Sequence, residues 1–240
     1  MIRLVYVWFG AGLFVASLLY FLYFYLIGLD RMGSPGGLRA LTIDVVLFSI
    51  FALHHSIMAR TRPKQWIARL VSPDLERSTY VWIASLLFVA TCAWWQMIGG
   101  VVYEIRGPLA IALHLVQAAS IVFILVAAAA LSPLELAGLR RAAAASAAQA
   151  GLRQARDAPS TGLQTTGAYG WVRHPVYFGW ALLVFATPRM TTDRLVFAIV
   201  STAYLAMAVP FEERSLIEAF GDSYRRYSEK VKWKILPRVY

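Results

Sequence analysis

Six apolar runs, separated by polar segments, divide the chain. A helix needs about 20 consecutive apolar residues to cross a hydrocarbon core about 30 Å thick. The first four runs have about that length and the last two are shorter. The pattern therefore predicts long spans at residues 4–27, 40–58, 80–98 and 109–131, then a helical hairpin at residues 176–187 and 195–210 that crosses only partly or at a tilt.

The composition of the chain also indicates a membrane protein. The 240 residues are 59% hydrophobic and only 15% charged, with a mean hydropathy of +0.59. Soluble domains are about half apolar and about a quarter charged, and disordered chains are less apolar still, so both classes are excluded. We expect an all-α, polytopic integral membrane protein. Its single cysteine, Cys92, lies inside an apolar run and excludes an intrachain disulfide.

Positive charge is distributed unevenly along the chain. Six crossings put both termini and the segments after the second and fourth spans on one side, with 18 Lys and Arg residues against 5 on the other. Cytoplasmic segments of membrane proteins carry the excess of Lys and Arg, so we predict that both termini are cytoplasmic, in a bacterial inner membrane. The net charge of +10 is explained by these flanks and anionic lipid, and we expect no nucleic-acid partner.

Changes in composition divide the chain into three segments. Residues 1–135 contain the N-terminal spans, residues 136–165 form an Ala- and Arg-rich cytoplasmic connector, and residues 166–240 contain the densest polar motifs. Alanine is the best helix former, so the connector is predicted to be an exposed or interfacial helix. We assign it no chemical role.

One polar cluster opens the fifth apolar run. Residues 167–179 read Gly-Ala-Tyr-Gly-Trp-Val-Arg-His-Pro-Val-Tyr-Phe-Gly. Proline fits the first turn of a helix, so a helix is predicted to begin near Pro175. The free amides of that turn, together with Arg173, suit a carboxylate or phosphate. The alternative is an interfacial anchor, because Arg, Trp and Tyr are common at the ends of spans.

A second polar cluster follows the sixth run. Residues 212–227 have apolar and aromatic positions at three- and four-residue steps, the pattern of an amphipathic helix on a membrane surface. Adjacent helical residues point about 100° apart, so one of Glu212 and Glu213 is able to face inward while the other is solvated. Such a carboxylate suits pairing with Arg173, or binding the ribose hydroxyls or ammonium group of a cofactor. The alternative is a pair of helix N-terminal acids favoured by the dipole.

The two clusters together resemble the isoprenylcysteine carboxyl methyltransferase family. The shared pattern is Gly-x-Tyr-x-x-Val-Arg-His-Pro-x-Tyr-x-Gly, an apolar hairpin, Glu-Glu-x-x-Leu-x-x-x-Phe-Gly-x-x-Tyr-x-x-Tyr and a late proline, here Pro237. Residues 51–60 and 76–80 look like the branch that contains the methanethiol S-methyltransferases and the nitric-oxide-reductase-associated membrane proteins. The resemblance implies a membrane methyltransferase that uses S-adenosylmethionine and takes a small or lipophilic thiol from the bilayer.

The resemblance also implies a set of site residues. In that family the cofactor lies at the cytoplasmic ends of the last spans, under the C-terminal helix. Carried over by motif, the cofactor-binding residues are Tyr169, Arg173, His174, Pro175, Tyr177, Glu212, Glu213, Tyr224 and Tyr227. The catalytic residues are His55, Arg173 and Glu213, and the substrate residues are His54 and His55. An anion site, carboxylates and aromatic faces match a cofactor with a carboxylate, an ammonium group and a sulfonium.

Two adjacent histidines lie near the cytoplasmic end of the second predicted span. A neutral imidazole of His54 or His55 suits accepting the proton of a thiol, whose anion is the better nucleophile. The alternative is a pair of histidines that make hydrogen bonds between helices. A membrane haem site needs two histidines at one depth, and His114 is predicted to lie roughly 13 Å from the depth of His54. We assign no metal site.

Other functions remain as alternatives. On the same resemblance, the methyl acceptor is alternatively the carboxylate of a prenylated cysteine or the amine of a phospholipid. A membrane haem-binding or transport protein without enzyme activity is the alternative of another class. A Rossmann methyltransferase is excluded, because no Gly-rich dinucleotide loop follows a predicted strand.

Overall fold

The computed structural model describes residues 2–30, 35–58, 72, 75–131 and 162–240. Within these ranges the chain is almost entirely helical, with two short strands. The helices are α1 (Ile2–Leu26), α2 (Gly37–Met58), α3 (Glu76–Ala93), α4 (Pro108–Ala129), α5 (Pro175–Phe185), α6 (Thr192–Phe220) and α7 (Asp222–Lys230). The strands are β1 (Val101–Glu104) and β2 (Arg189–Thr191). The predicted Ala- and Arg-rich connector lies almost wholly outside the described residues.

Four of the described helices are long and apolar enough to cross a membrane, which confirms the predicted all-α membrane fold. They are α1, α2, α4 and α6. The set of four long helices differs from the predicted set of long spans in two respects. The third predicted span, residues 80–98, is the 18-residue helix α3, which ends at Ala93. The second arm of the predicted hairpin is instead the 29-residue helix α6.

The length of α6 comes from its passage through Pro210. The predicted arm of the hairpin ended at this residue, where the apolar run ends. A proline inside a helix lacks an N–H group, and its ring clashes with the carbonyl four residues earlier. The helix continues to Phe220 and ends at Gly221, whose φ of +55° favours glycine. The predicted amphipathic helix at residues 212–227 is therefore the last two turns of α6 followed by α7.

The described helices and strands fall into two compact units. The first contains α1, α2 and α3, and the second contains α4 to α7 with β1 and β2. This division places α4 with the C-terminal half, whereas the segments drawn from composition grouped it with the N-terminal spans.

In the first unit, α3 packs closely on α1. A Cβ added at Gly10 would come within 2.8 Å of the indole nitrogen of Trp82, so only glycine leaves room for this ring. The indole donates a hydrogen bond to the carbonyl oxygen of Tyr6 at 3.0 Å. Asp44 of α2 is fully buried, and its Oδ1 accepts the main-chain N–H of Gln96 at 2.8 Å.

In the second unit, α5 packs against α4 around Gly179. A Cβ at this position would lie 2.6 Å from Cγ1 of Ile124, which is closer than two non-bonded carbon atoms approach each other. Gln117 of α4 is buried, and its Nε2 donates a hydrogen bond to the carbonyl oxygen of Leu183 in α5 at 3.1 Å. Close packing and one buried polar contact thus fix α5, the helix that begins at the first polar cluster.

A short antiparallel sheet lies where α5 connects to α6. β1 pairs with β2, with Tyr103 opposite Met190. The side chain of Thr191 accepts the N–H of Arg194 at 3.2 Å and so caps α6. Asp193 is 1% exposed, and its Oδ2 accepts the N–H of Gly99 at 3.2 Å. These contacts fix the end of α6 that is remote from Glu212 and Glu213.

Candidate active site

The two polar clusters of the C-terminal segment meet in a buried ion pair. Arg173 lies just before α5, and Glu213 lies on α6. Arg173 Nε and Glu213 Oε1 are 2.6 Å apart, and the two side chains are 8% and 16% exposed. His174 Nε2 lies 3.4 Å from the same carboxylate oxygen. We call Arg173, His174 and Glu213 the charged centre.

The position of the charged centre follows from the start of α5. Pro175 occupies the first turn of the helix, as predicted, and is buried. Its neighbour His174 is the N-cap residue, whose backbone leaves the helical conformation. The turn just before it, residues 167–170, is a 3-10 helix. Arg173 and His174 are therefore carried by the short connection between two helices.

The Arg173 guanidinium also binds main-chain carbonyl oxygens. Besides Glu213, its Nη1 donates to the carbonyl oxygens of Val231 at 2.8 Å, Lys232 at 3.0 Å and Ser228 at 3.4 Å. A buried charge is stable only when it is paired and its N–H groups have acceptors. In this structure the Nε and Nη1 donors of Arg173 bind protein atoms, which makes the residue a tie between α6 and the end of α7.

Glu212 has a different environment from its neighbour. Its side chain is 45% exposed, and it accepts a hydrogen bond from the hydroxyl of Tyr177. His174 Nδ1 lies 3.4 Å from its Oε2, and the imidazole stacks on the Tyr177 ring with centroids 5.4 Å apart. Of the two adjacent acids, Glu213 is buried in the charged centre and Glu212 is accessible beside an aromatic ring.

His174 is favoured in its protonated form. Burial by itself would lower the pKa of this imidazole, but hydrogen bonds to Glu212 and Glu213 and the charges of both carboxylates raise the pKa above its usual value. The imidazole lies between two carboxylates, and its protonated form offsets part of their mutual repulsion.

Three predicted tyrosines lie in the same unit. The hydroxyl of Tyr227 donates to the carbonyl oxygen of Tyr169 at 2.7 Å, and the hydroxyl of Tyr169 donates to the carbonyl oxygen of Ala127 at 3.3 Å. Burial raises the pKa of Tyr227 to about 12, against the opposing charge of Arg173. Burial also raises the pKa of Tyr224 and the pKa of Tyr169, so all three phenols stay neutral.

The hydroxyl of Tyr224 differs from the other two. The residue is 2% exposed, and it interacts with the Glu213 carboxylate through its charge and a side-chain hydrogen bond, which raise the pKa of the phenol beside the larger effect of burial. This hydroxyl therefore lies against the charged centre rather than against a main-chain carbonyl oxygen.

The predicted histidines belong to the first unit. His55 Nδ1 lies 2.8 Å from the hydroxyl of Tyr80, and the ring of His54 stacks on Tyr80 with centroids 6.1 Å apart. The guanidinium carbon of Arg77 lies 5.4 Å from the centroid of the same tyrosine. The second and third helices thus bring together the two histidines with the segment at residues 76–80.

Sequence reasoning missed the main-chain acceptors of Arg173. They are carbonyl oxygens of Ser228, Val231 and Lys232, and every residue type carries such an oxygen. Tyr80 is part of the family-like segment at residues 76–80, but nothing in that segment predicted its contact with His55. A period of about 3.6 residues does place Glu76 and Tyr80 on one face of a helix.

Comparisons with known proteins point to the same family as the two polar clusters. Residues 138–218 match the sequence profile described as the "Isoprenylcysteine carboxyl methyltransferase (ICMT) family". The chain is 36% identical over 203 residues to a methanethiol S-methyltransferase of Mycobacterium tuberculosis, an alignment that covers 83% of this chain and 79% of the relative.

Two further relatives show how the similarity is distributed. A methanethiol S-methyltransferase of Pseudomonas deceptionensis is 38% identical over 193 residues, covering 80% of this chain and 71% of the relative. A protein-S-isoprenylcysteine O-methyltransferase of Schizosaccharomyces pombe is 35% identical over only 72 residues, or 29% of this chain. No solved structure matches the chain.

Proposed function

The chain belongs to the isoprenylcysteine carboxyl methyltransferase family, and on that premise we propose that it transfers a methyl group from S-adenosylmethionine to a small or lipophilic thiol. The observation that carries the proposal is the meeting of the two family clusters in the buried Arg173–Glu213 pair. Relatives similar over most of the chain are named methanethiol S-methyltransferase, which supports a thiol as the acceptor.

The residues around the charged centre fit S-adenosylmethionine. When bound, this cofactor supplies a methyl group on a positively charged sulfonium. Glu212 is an accessible carboxylate suited to the ammonium group or the ribose hydroxyls of the cofactor. The face of Tyr177 suits the adenine ring or the sulfonium.

The charged centre has a separate task in this proposal. Arg173, His174 and Glu213 bind one another and thereby fix the start of α5 relative to α6. A preorganised site loses little free energy to reordering when its ligand binds. We expect Arg173 and Glu213 to support cofactor binding mainly by holding Tyr177 and Glu212 in place. The predicted anion site at the start of α5 has few free amides, because Pro175 has no N–H and the N–H groups of Tyr177 and Phe178 donate to the carbonyl oxygen of His174.

Thiol methylation needs little chemistry from the protein beyond removal of one proton and alignment. The thiol proton moves to a base, and a sulfur lone pair forms the new bond to the methyl carbon while the bond between that carbon and the donor sulfonium breaks, its electron pair remaining on the donor sulfur. We assign the base to His55, on the resemblance of residues 51–60 and on its contact with Tyr80. His54 is the second substrate residue.

The histidine assignment predicts a pH-dependent loss of activity. His55→Ala should keep its affinity for S-adenosylmethionine while the rate falls by about 10²-fold, because a positioned base is worth about that much. The deficit should shrink as the pH approaches the thiol pKa of about 8.5, where the thiolate forms without help. Initial rates from pH 6.5 to 9 measure this. Full activity of His55→Ala at pH 6.5 would show that this histidine is not the base.

The acceptor is identified by a screen with labelled S-adenosylmethionine. Purified protein in lipid is given a small thiol, a prenylated cysteine with a free carboxylate, or a phospholipid amine. We expect label only in the thioether product. Turnover of the carboxylate alone would assign O-methylation, and turnover of the amine alone would assign N-methylation.

Calorimetry with S-adenosylmethionine tests the cofactor itself. We expect binding heat with the folded protein. An absence of binding heat in well-folded protein would exclude the proposed methyltransferase activity, and a Soret band on purification would favour a haem protein. Reporter fusions in a bacterial inner membrane test the proposed location, with both termini expected in the cytoplasm.

A further inference from the structure

The segment after α7 holds the two residues that precede α5. We call residues 231–240 the C-terminal strap. Arg173 Nη1 donates to the carbonyl oxygens of the first two strap residues at 2.8 and 3.0 Å. The main-chain N–H groups of Arg173 and His174 donate to the carbonyl oxygens of Trp233 at 2.9 Å and Lys234 at 2.8 Å. The strap therefore holds the side chain of Arg173 and the main chain of Arg173 and His174.

The strap is closed on itself by Tyr240. The carbonyl oxygen of this residue accepts N–H groups from Lys234 at 2.9 Å, Ile235 at 2.9 Å and Leu236 at 3.1 Å. The ammonium nitrogen of Lys234 lies 4.4 Å from the centroid of the Tyr240 ring, within the range of a cation–π interaction. Lys234 thus links the closure to the charged centre, since its own carbonyl accepts the N–H of His174.

Tyr240 also reaches α6 at its proline. Pro210 has no N–H group, so it gives no helical hydrogen bond to the carbonyl oxygen of Ala206, four residues earlier. The hydroxyl of Tyr240 lies 3.4 Å from that oxygen, a long hydrogen bond. The same side chain therefore contacts the strap and the part of α6 that leads to Glu212 and Glu213.

We propose that Tyr240 and Lys234 are positioning residues for the charged centre. Their ring-to-ammonium contact keeps the strap closed, and the closed strap sets the main chain at residues 173–174. Both residues lie outside the predicted cofactor and substrate residues. The proposal rests on the proposed function only where S-adenosylmethionine is used as the ligand.

Tyr240→Ala tests the proposal directly, with Tyr240→Phe as the conservative variant. Without the ring, we expect the amides of Arg173 and His174 to exchange hydrogen about tenfold faster, because a cation–π contact of ordinary strength is lost. The Kd and KM for S-adenosylmethionine should rise by about the same factor, while KM for the thiol stays unchanged. Tyr240→Phe keeps the ring and should remain within about threefold of the wild type, since it loses only two long hydrogen bonds of 3.4 Å, one from Lys234 Nζ and one to the carbonyl oxygen of Ala206.

Matched controls separate this effect from a general loss of stability. Val239 is the preceding residue and is 76% exposed, so Val239→Ala should exchange and bind like the wild type. Lys234→Met keeps the main chain and removes the ammonium, and it carries the test if Tyr240→Ala fails to fold. Lys230→Met removes an equal charge at an exposed residue at the end of α7 and should have no effect.

Two results overturn the proposal. Exchange of the Arg173 and His174 amides within about twofold of the wild type in Lys234→Met and in folded Tyr240→Ala would show that the contact does not hold the strap. Faster exchange without any loss of cofactor affinity would show that the strap does not set the charged centre. Exchange is measured without a ligand, so an absence of cofactor binding by the wild type would refute the proposed function and leave the exchange test of the strap intact.

Discussion

Glu213→Gln tests how strongly a single carboxylate holds the charged centre together. The side chains of Arg173 and His174 are 8% and 7% exposed, so loss of this charge leaves a buried guanidinium with neutral acceptors only. Removing one partner of a buried ion pair costs about 3–5 kcal/mol. Glutamine keeps an oxygen that accepts a hydrogen bond from Arg173. We therefore expect the free energy of unfolding to fall by the lower amount of about 2–3 kcal/mol.

The neighbouring acid provides a matched control. Glu212→Gln removes the same charge one residue away, but that side chain is 45% exposed and its ion pairing is screened by solvent. We expect a loss below about 1 kcal/mol. Denaturant unfolding in mixed micelles at pH 7 measures both variants, provided that their m-values match that of the wild type.

A double-mutant cycle shows whether Arg173 is the partner that matters. Arg173→Met alone leaves Glu213 without its guanidinium partner and with His174 beside it, whereas Arg173→Met combined with Glu213→Gln removes both charges of the pair. We expect a coupling free energy of about 2 kcal/mol. Equal losses in the two Gln variants, or additivity within about 0.5 kcal/mol in the cycle, would refute this account. The carbonyl oxygens around Arg173 would then be its main support.

The other predictions concern pH and helix packing. The pKa of His174 is raised above 6.5, so the stabilisation from its charge is complete below about pH 6.5 and is lost as the pH rises through the pKa of the folded state. The difference in unfolding free energy between the wild type and His174→Asn should therefore be largest near pH 6 and should shrink towards pH 9; a difference that does not change with pH contradicts this. Gly179→Ala should destabilise the chain by about 1–3 kcal/mol, because its Cβ would lie 2.6 Å from Cγ1 of Ile124. Gly12→Ala is the control, since a Cβ there has no atom within 4 Å, and equal thermal shifts in the two variants would contradict the packing argument.

Features with a strong local cause could be predicted from the sequence. The start of α5 at Pro175 follows from the fit of proline to the first turn of a helix, and the membrane fold follows from the length of the apolar runs. The pairing of Arg173 with Glu213 was among the predicted alternatives, because both lie where an apolar run meets a polar cluster.

Features that depend on distant partners could not be predicted in this way. Proline usually ends a helix, but Pro210 lies inside α6, where Tyr240 gives the carbonyl of Ala206 a donor from 34 residues away. The sheet was missed because its strands have only 4 and 3 residues, too short for an alternating pattern to be distinguished from a loop. Residues 94–98 are apolar except for Gln96 but are not helical, so the length of the apolar run did not give the length of α3.

The two adjacent acids show how one sequence feature leads to two roles. Successive residues of a helix point about 100° apart, so a pair of acids at a helix surface places its two charges in different surroundings. Glu213 is 16% exposed and binds Arg173, while Glu212 is 45% exposed and accepts a hydrogen bond from Tyr177. A buried carboxylate already paired with a guanidinium has little capacity left for a ligand, whereas an accessible carboxylate beside an aromatic ring has both charge and contact surface to offer. On the proposed function we therefore expect Glu213 to support the site and Glu212 to recognise a cationic or hydroxyl-bearing ligand.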